Sequence, residues 1–141
     1  SPFFYLMETA RNLCLVLEKK ADLGREIRLA YSQEDKETLQ EIANIKIPVL
    51  LQRLQDFYQS FRTQWNLENK SFGFEVQTVR IGGLLQRLKD VQEILNAYLR
   101  EEIPGIAELN EPQKAFHYFE QNEIRSLNYN LWTDIVSPSK I

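Results

Sequence analysis

Cysteine, histidine and methionine each occur once in these 141 residues, as Cys14, His117 and Met7. A lone cysteine excludes an internal disulfide and makes a reducing, cytoplasmic setting the simplest expectation. A metal centre needs clustered His, Cys or carboxylate ligands, and one histidine far from one cysteine does not supply them. Phosphate loops are missing too, because Gly82-Gly83 fits neither the Walker nor the dinucleotide pattern. No metal or cofactor is therefore expected. No window approaches the roughly 18 uninterrupted apolar residues of a membrane-spanning helix, and no signal peptide is visible. A formal charge of -3 with 26% charged residues gives no strong attraction for nucleic acid or an anionic membrane, so neither is an expected partner. Strand-like alternation never lasts more than a few residues, and there is no repeat or low-complexity tract. The chain opens on Ser-Pro-Phe-Phe without an initiating Met, which reads as a single domain, 1–141, excised from a longer protein.

Helical periodicity fills most of what remains. From Phe3 to Tyr31 the series Leu6, Ala10, Leu13, Leu17, Ala21, Gly24, Ile27 and Tyr31 steps by three or four and makes one helix face, with Cys14 beside it as a small core residue. Ser32 followed by Asp35 is a capping-box variant that opens a second helix. Leu39, Ile42, Ile47, Leu50, Leu54, Phe57, Phe61 and Trp65 carry that helix to Asn69. Pro48, inside the run, removes a hydrogen bond and clashes with the carbonyl of Asn44, so a kink or break belongs there. A third helix is expected over Glu75–Glu102, stopped by Pro104-Gly105. Helices of about 25 to 35 residues span roughly 40–50 Å, so the fold class is all-α, an elongated bundle over 1–104. Over 105–141 the signals weaken to one turn at Ile106–Leu109, a short helix at Gln113–Ser126 and an apolar tail through Leu131, Trp132, Ile135 and Val136.

The densest information lies between Trp65 and Arg87. Phe57, Tyr58, Phe61 and Trp65 crowd the end of the second helix as a core seam. Phe72 and Phe74 then alternate around Gly73, so both cannot face one core, and at least one is a candidate contact with another domain or subunit, where aromatics are enriched. Gly82 and Gly83 sit inside the third helix and forgo roughly 2 kcal/mol of helix propensity relative to alanine. That loss is understandable where another surface approaches the bare backbone, with Arg80 as a polar partner beside it. Chemistry is otherwise scarce. Glu68 and Glu75 flank the turn, but Glu75 sits where a carboxylate favours a helix N-terminus and not where a catalytic pair needs it. Arg87 has Asp90 three residues on, an ordinary helix-surface pair. His117, between Phe116 and Tyr118, reads as a packing or surface residue.

The segments W-N-L-E-N-K-S-F-G-F-E-V and R-I-G-G-L-L-Q-R-L resemble the helical C-terminal domain of bacterial family-20 glycoside hydrolases, the exo-β-N-acetylhexosaminidases. Asn96-Ala97-Tyr98-Leu99 and Ile106-Ala107-Glu108-Leu109-Asn110-Glu111 fit the same resemblance. It implies a longer enzyme in which a (β/α)8 catalytic barrel precedes this module. Such enzymes remove terminal β-linked N-acetylglucosamine or N-acetylgalactosamine, using the substrate's acetamido group as nucleophile and an adjacent Asp-Glu pair. The dipeptide Asp-Glu does not occur here; its nearest approach is the reversed Glu34-Asp35. No residue of this chain inherits a catalytic role. The resemblance makes the module a non-catalytic accessory domain whose partners are the barrel of its own chain and, in a homodimer, a second copy. A helical adaptor or dimerisation module with no link to sugars is the alternative from periodicity alone.

Overall fold

The computed structural model describes residues 2–111, and among these every regular element is helical. The expected short helix over 113–126, the apolar tail and His117 lie outside the described residues. The first periodic stretch forms two helices, α1 (Phe4–Lys20) and α2 (Leu23–Ser32), parted by a turn at Ala21-Asp22. The second stretch comprises α3 (Lys36–Glu41), a π turn (Ile42–Lys46) and α4 (Ile47–Glu68). α5 (Phe74–Leu99) follows, and a single turn, α6 (Ala107–Asn110), closes the described chain. The 26 residues of α5 span about 39 Å at 1.5 Å per residue.

The π turn is how the helix absorbs Pro48. Ile47 N–H bonds back five residues to Ile42 O. In that register the next N–H would reach Ala43 O, but Pro48 has none to give. Ala43 is fully buried, and its carbonyl accepts instead from Gln92 Nε2 on α5, at 2.7 Å. The proline's missing donor is thus replaced by a side chain from across the bundle, and the helix continues without a break.

Two helix ends are handled alike. After α2, Asp35 N bonds Ala30 O and Glu34 N bonds Tyr31 O; after α5, Glu102 N bonds Ala97 O and Glu101 N bonds Tyr98 O. These are Schellman pairs. Each puts a glutamate at positive φ, Glu34 at 54° and Glu101 at 60°, where glycine is the usual occupant. The cap therefore ends α5 before Pro104 is reached, three residues short of the Glu102 limit expected from periodicity. Lys36 ties the two caps together through Glu101 Oε1 at 2.9 Å. Asp35 alone is the N-cap of α3, accepting from Thr38 N at 3.0 Å and Thr38 Oγ1 at 2.7 Å. Those bonds hold its carboxyl below the usual aspartate range. Ser32 belongs to α2 and bonds Leu29 O, so it takes no part in the cap.

The aliphatic core joins α2 (Leu23, Ile27, Ala30), α3 and the π turn (Leu39, Ile42, Ala43), early α4 (Ile47, Leu50, Leu54) and late α5 (Leu88, Leu95), with Val16 and Ile106 at its margin. α6 is laced onto it. Tyr31 Oη accepts from Ile106 N at 3.0 Å and donates to Asn110 Oδ1 at 3.1 Å. Gly105 lets that ring approach, since a Cβ there would lie 3.0 Å from Tyr31 Oη. Arg28 Nη1 donates to the carbonyls of Leu109 and Glu111, each at 3.3 Å.

Candidate docking surface

α4 is the central post, with α1 and α5 both antiparallel to it. Along α1, Tyr5 Oη donates to Glu68 Oε1 (3.2 Å), Asn12 Nδ2 to Ser60 Oγ (3.1 Å), and Arg53 Nη1 to Leu15 O (2.6 Å) and Glu18 Oε2 (2.8 Å). The Arg53 guanidinium, aided by Lys19, holds Glu18 below the usual carboxylate range. Along α5, Tyr58 Oη and Thr78 Oγ1 share a hydrogen bond at 3.0 Å. Arg53, Asp56 and Ser60 thus mark the α1 side of α4, while Tyr58, Phe61 and Trp65 mark the α5 side. At about 100° per residue those sides lie roughly 140° apart around the post.

The turn from α4 to α5 is built around Trp65. Its ring is half-buried, not at the centre of the core, and its Nε1 donates to Lys70 O at 2.9 Å. Phe74 is buried beneath it, with ring centroids 5.7 Å from Trp65 and 5.6 Å from both Tyr58 and Phe61. Gly73 caps α5 at φ 97°, and its N–H donates to Glu75 Oε2 at 2.7 Å. A Cβ at Gly73 would also meet Trp65 Cζ2 at 3.4 Å. Glu75 therefore supports the turn, in keeping with its placement at a helix start. Phe72 takes the opposite direction from Phe74 and is 87% exposed.

Of the six residues singled out in the sequence, the turn itself uses two, Gly73 and Phe74. Phe72, Arg80, Gly82 and Gly83 take no part in the turn's ring packing or its cap. Gly82 is exposed, and nothing among the described residues comes within 4 Å of a Cβ placed there. Gly83 is half-buried. Arg80 Nε is buried, and among the described residues it has no hydrogen-bond partner. Val76 and Val79 join this surface, 49% and 57% exposed on the face of α5 away from Phe74, Ile81 and Leu88. Periodicity sets Val76 and Val79 on one apolar series with Leu84, Leu88 and Val91, and the structure turns these two outward.

α1 reverses the expectation formed from its periodicity. The face read as core points outward: Leu13 is 40% and Leu17 49% exposed, and Ala10, Ala21 and Gly24 are exposed as well. Cys14 is exposed with them and is not a core residue. Phe4 and Met7 extend the same apolar surface. Inward, toward α4, α1 buries Thr9, Asn12 and Val16. The physical reason is polar matching. Asn12 also reaches Asp56 O at 3.4 Å, Ser60 Oγ itself donates to Phe57 O at 3.0 Å, and Thr9 Oγ1 donates to Tyr5 O at 3.1 Å, so the buried polar groups satisfy one another.

A groove of about 380 Å³ lies between α2, α5 and α6, floored by Ile27, Val91, Leu95 and Ile106. At its rim Arg28 is engaged by carbonyls of α6 and Arg87 by the Glu108 carboxylate. Arg87 bonds Glu108 of α6 and not Asp90, whose Oδ1 accepts from Gln86 instead. Among the described residues no three His, Cys, Asp or Glu side chains gather as a metal site would need.

Residues 1–128 match the family described as the Glycoside Hydrolase 20C C-terminal domain. A comparison with curated proteins finds no match. Because the family match covers nearly the whole chain, this protein belongs to the glycoside hydrolase 20C C-terminal domain family, and is an accessory helical domain of a family-20 glycoside hydrolase.

Proposed function

We propose that this domain is a non-catalytic support for an enzyme that removes terminal β-linked N-acetylglucosamine or N-acetylgalactosamine, and that it seats on the (β/α)8 catalytic barrel through the outward face of α1. The sugar class rests on the family and on the resemblance of Trp65–Leu88. The seating rests on one observation: a helix that buries Thr9 and Asn12 while exposing Phe4, Met7, Leu13 and Leu17. Contiguous exposed apolar surface on a soluble protein marks an interaction site.

The test uses the full-length enzyme carrying Leu13→Lys and Leu17→Lys. Both side chains lie on the outward face of α1, away from α4, so its helicity should be retained in the variant. The enzyme should lose heat stability and turn over a chromogenic β-N-acetylglucosaminide more slowly. Wild-type unfolding temperature and turnover in the double variant would remove the seating. Failure of the wild-type enzyme to release sugar from that substrate would remove the sugar class and leave the seating untouched.

A further inference from the structure

We infer that the groove between α2, α5 and α6 is the seat of the chain's own continuation, with Phe116 and Phe119 as the side chains that fill it. This goes beyond the seating of α1 and does not depend on it. The first ground is where the chain leaves α6. Glu111, the last described residue, is itself part of the groove's wall, beside Arg28, Glu108 and Leu109. Its backbone is extended, at φ -69° and ψ 141°, the conformation favoured before a proline, and Pro112 follows. The exit is also tied down. Arg28 donates to the carbonyls of Glu108, Leu109 and Glu111 at 3.4, 3.3 and 3.3 Å, and Tyr31 Oη holds Asn110. A helix of four residues does not persist unaided. These bonds fix it, and the chain's point of departure with it, at the groove's edge.

The second ground is chemistry. In the floor Ile27, Leu95 and Ile106 are buried, while Val91 and Ile94 keep part of their surface uncovered. Arg28 and Arg87, the cations of the rim, are both engaged by α6, so the groove offers an occupant chiefly apolar surface. Its volume of about 380 Å³ is that of a ligand pocket and has room for more than one large side chain. The sequence supplies such side chains close to the exit. On the helical reading of Gln113–Ser126, Ala115, Phe116, Tyr118 and Phe119 share one side, and His117, Glu120 and Gln121 the other. Phe116 comes five residues after Glu111, a stretch of at most about 18 Å. A segment on so short a tether meets the groove at a far higher effective concentration than a separate molecule does.

The extent of the family is a third, independent observation. Its match runs to residue 128, so the stretch that carries both phenylalanines belongs to the same domain as the groove.

The test reads cysteine accessibility in the 141-residue chain, in a Cys14→Ser background that leaves each introduced cysteine as its sole thiol. Val91→Cys should react with a maleimide more slowly than Val79→Cys, which lies on α5 outside the groove. Adding Phe116→Ser together with Phe119→Ser should speed the reaction of Val91→Cys at least tenfold and leave that of Val79→Cys unchanged. A rate at Val91→Cys that the two serines do not alter overturns the proposal. So does protection that appears only in the full-length enzyme, which would assign the groove to the catalytic domain, or protection that fades on dilution, which would assign it to a second copy. If the serines speed both probes, they have loosened the whole fold, and a second measurement decides. Val91→Cys combined with Phe116→Cys or with Phe119→Cys should close an intrachain disulfide in at least one pair, at least tenfold faster than the same pairs made with Val79→Cys. Equal rates for the two positions would overturn the seating.

Discussion

The two ends of the α4 post are built on opposite principles. At one end α2, α3, the π turn, early α4 and late α5 enclose aliphatic side chains such as Leu39, Ile47 and Leu50, all fully buried. There the polar groups are matched as well: Gln92 serves the Ala43 carbonyl, Arg28 the end of α6, and Lys36 joins two helix caps. At the other end α1 and α5 diverge, the buried contact between α1 and α4 includes Thr9, Asn12 and Ser60, and Met7, Leu67, Phe72, Val76 and Val79 face outward. One end is finished by its own chain. The other buries polar residues beside exposed apolar ones, the contrast on which the proposed seating rests.

The largest expected effect that would sharpen this contrast comes from within one turn. Phe74→Ala should cost about 3–5 kcal/mol in urea denaturation, because it empties the space between Tyr58, Phe61 and Trp65. Phe72→Ala, two residues away, should shift stability by no more than about 0.5 kcal/mol in the domain alone. Equal costs for the two would break the division between a held ring and an offered one. Next in size is Gln92→Ala at the finished end. Leaving Ala43 O buried without a donor should cost about 1–3 kcal/mol, and an unchanged denaturation midpoint would show that water or the helix backbone serves that carbonyl instead. The smallest effect concerns glycine. Gly82→Ala should stabilise the uncoupled domain by about 0.4–1 kcal/mol, since a methyl there meets open space. Gly73→Ala should destabilise it, because φ 97° disfavours any side chain. Thermal unfolding of the pair gives the sign of each, and the same sign for both would contradict the two backbone environments.

Periodicity was sufficient for the all-α fold, for the C-terminal limit of α4 and for the alternation of Phe72 and Phe74. It was insufficient for α1, because a stripe of Leu13, Ala10 and Leu17 looks the same whether it meets a core or a partner. The discriminating signal was on another helix: the Asp56 carbonyl and Ser60 present α1 with polar groups that Asn12 complements. The π turn was present in the sequence as one step of five, from Ile42 to Ile47, within a series otherwise stepping by three and four. Pro48 drew attention to the same place for a different reason. Arg87 illustrates the remaining kind of miss. A local partner, Asp90, was in helical reach, but α6 returns Glu108 across the bundle, and no local spacing encodes that return.

The extra residue in the π turn also acts as a phase setting. A helix that takes in one additional residue per turn advances its downstream faces by about 100° relative to those upstream. Everything α4 presents after Lys46 inherits that offset. Deleting one residue from Ile42–Lys46 would restore ordinary pitch and swing Asp56 and Ser60 around the post, taking the docking strip for α1 with them. The compass bearing on which α1 displays its apolar side is therefore set at the far end of the post, by the length of a single turn. The same turn would carry Leu50 and Leu54 away from Leu39 and Ile42, so a change of one residue there should disturb the aliphatic core as well as the bearing of α1.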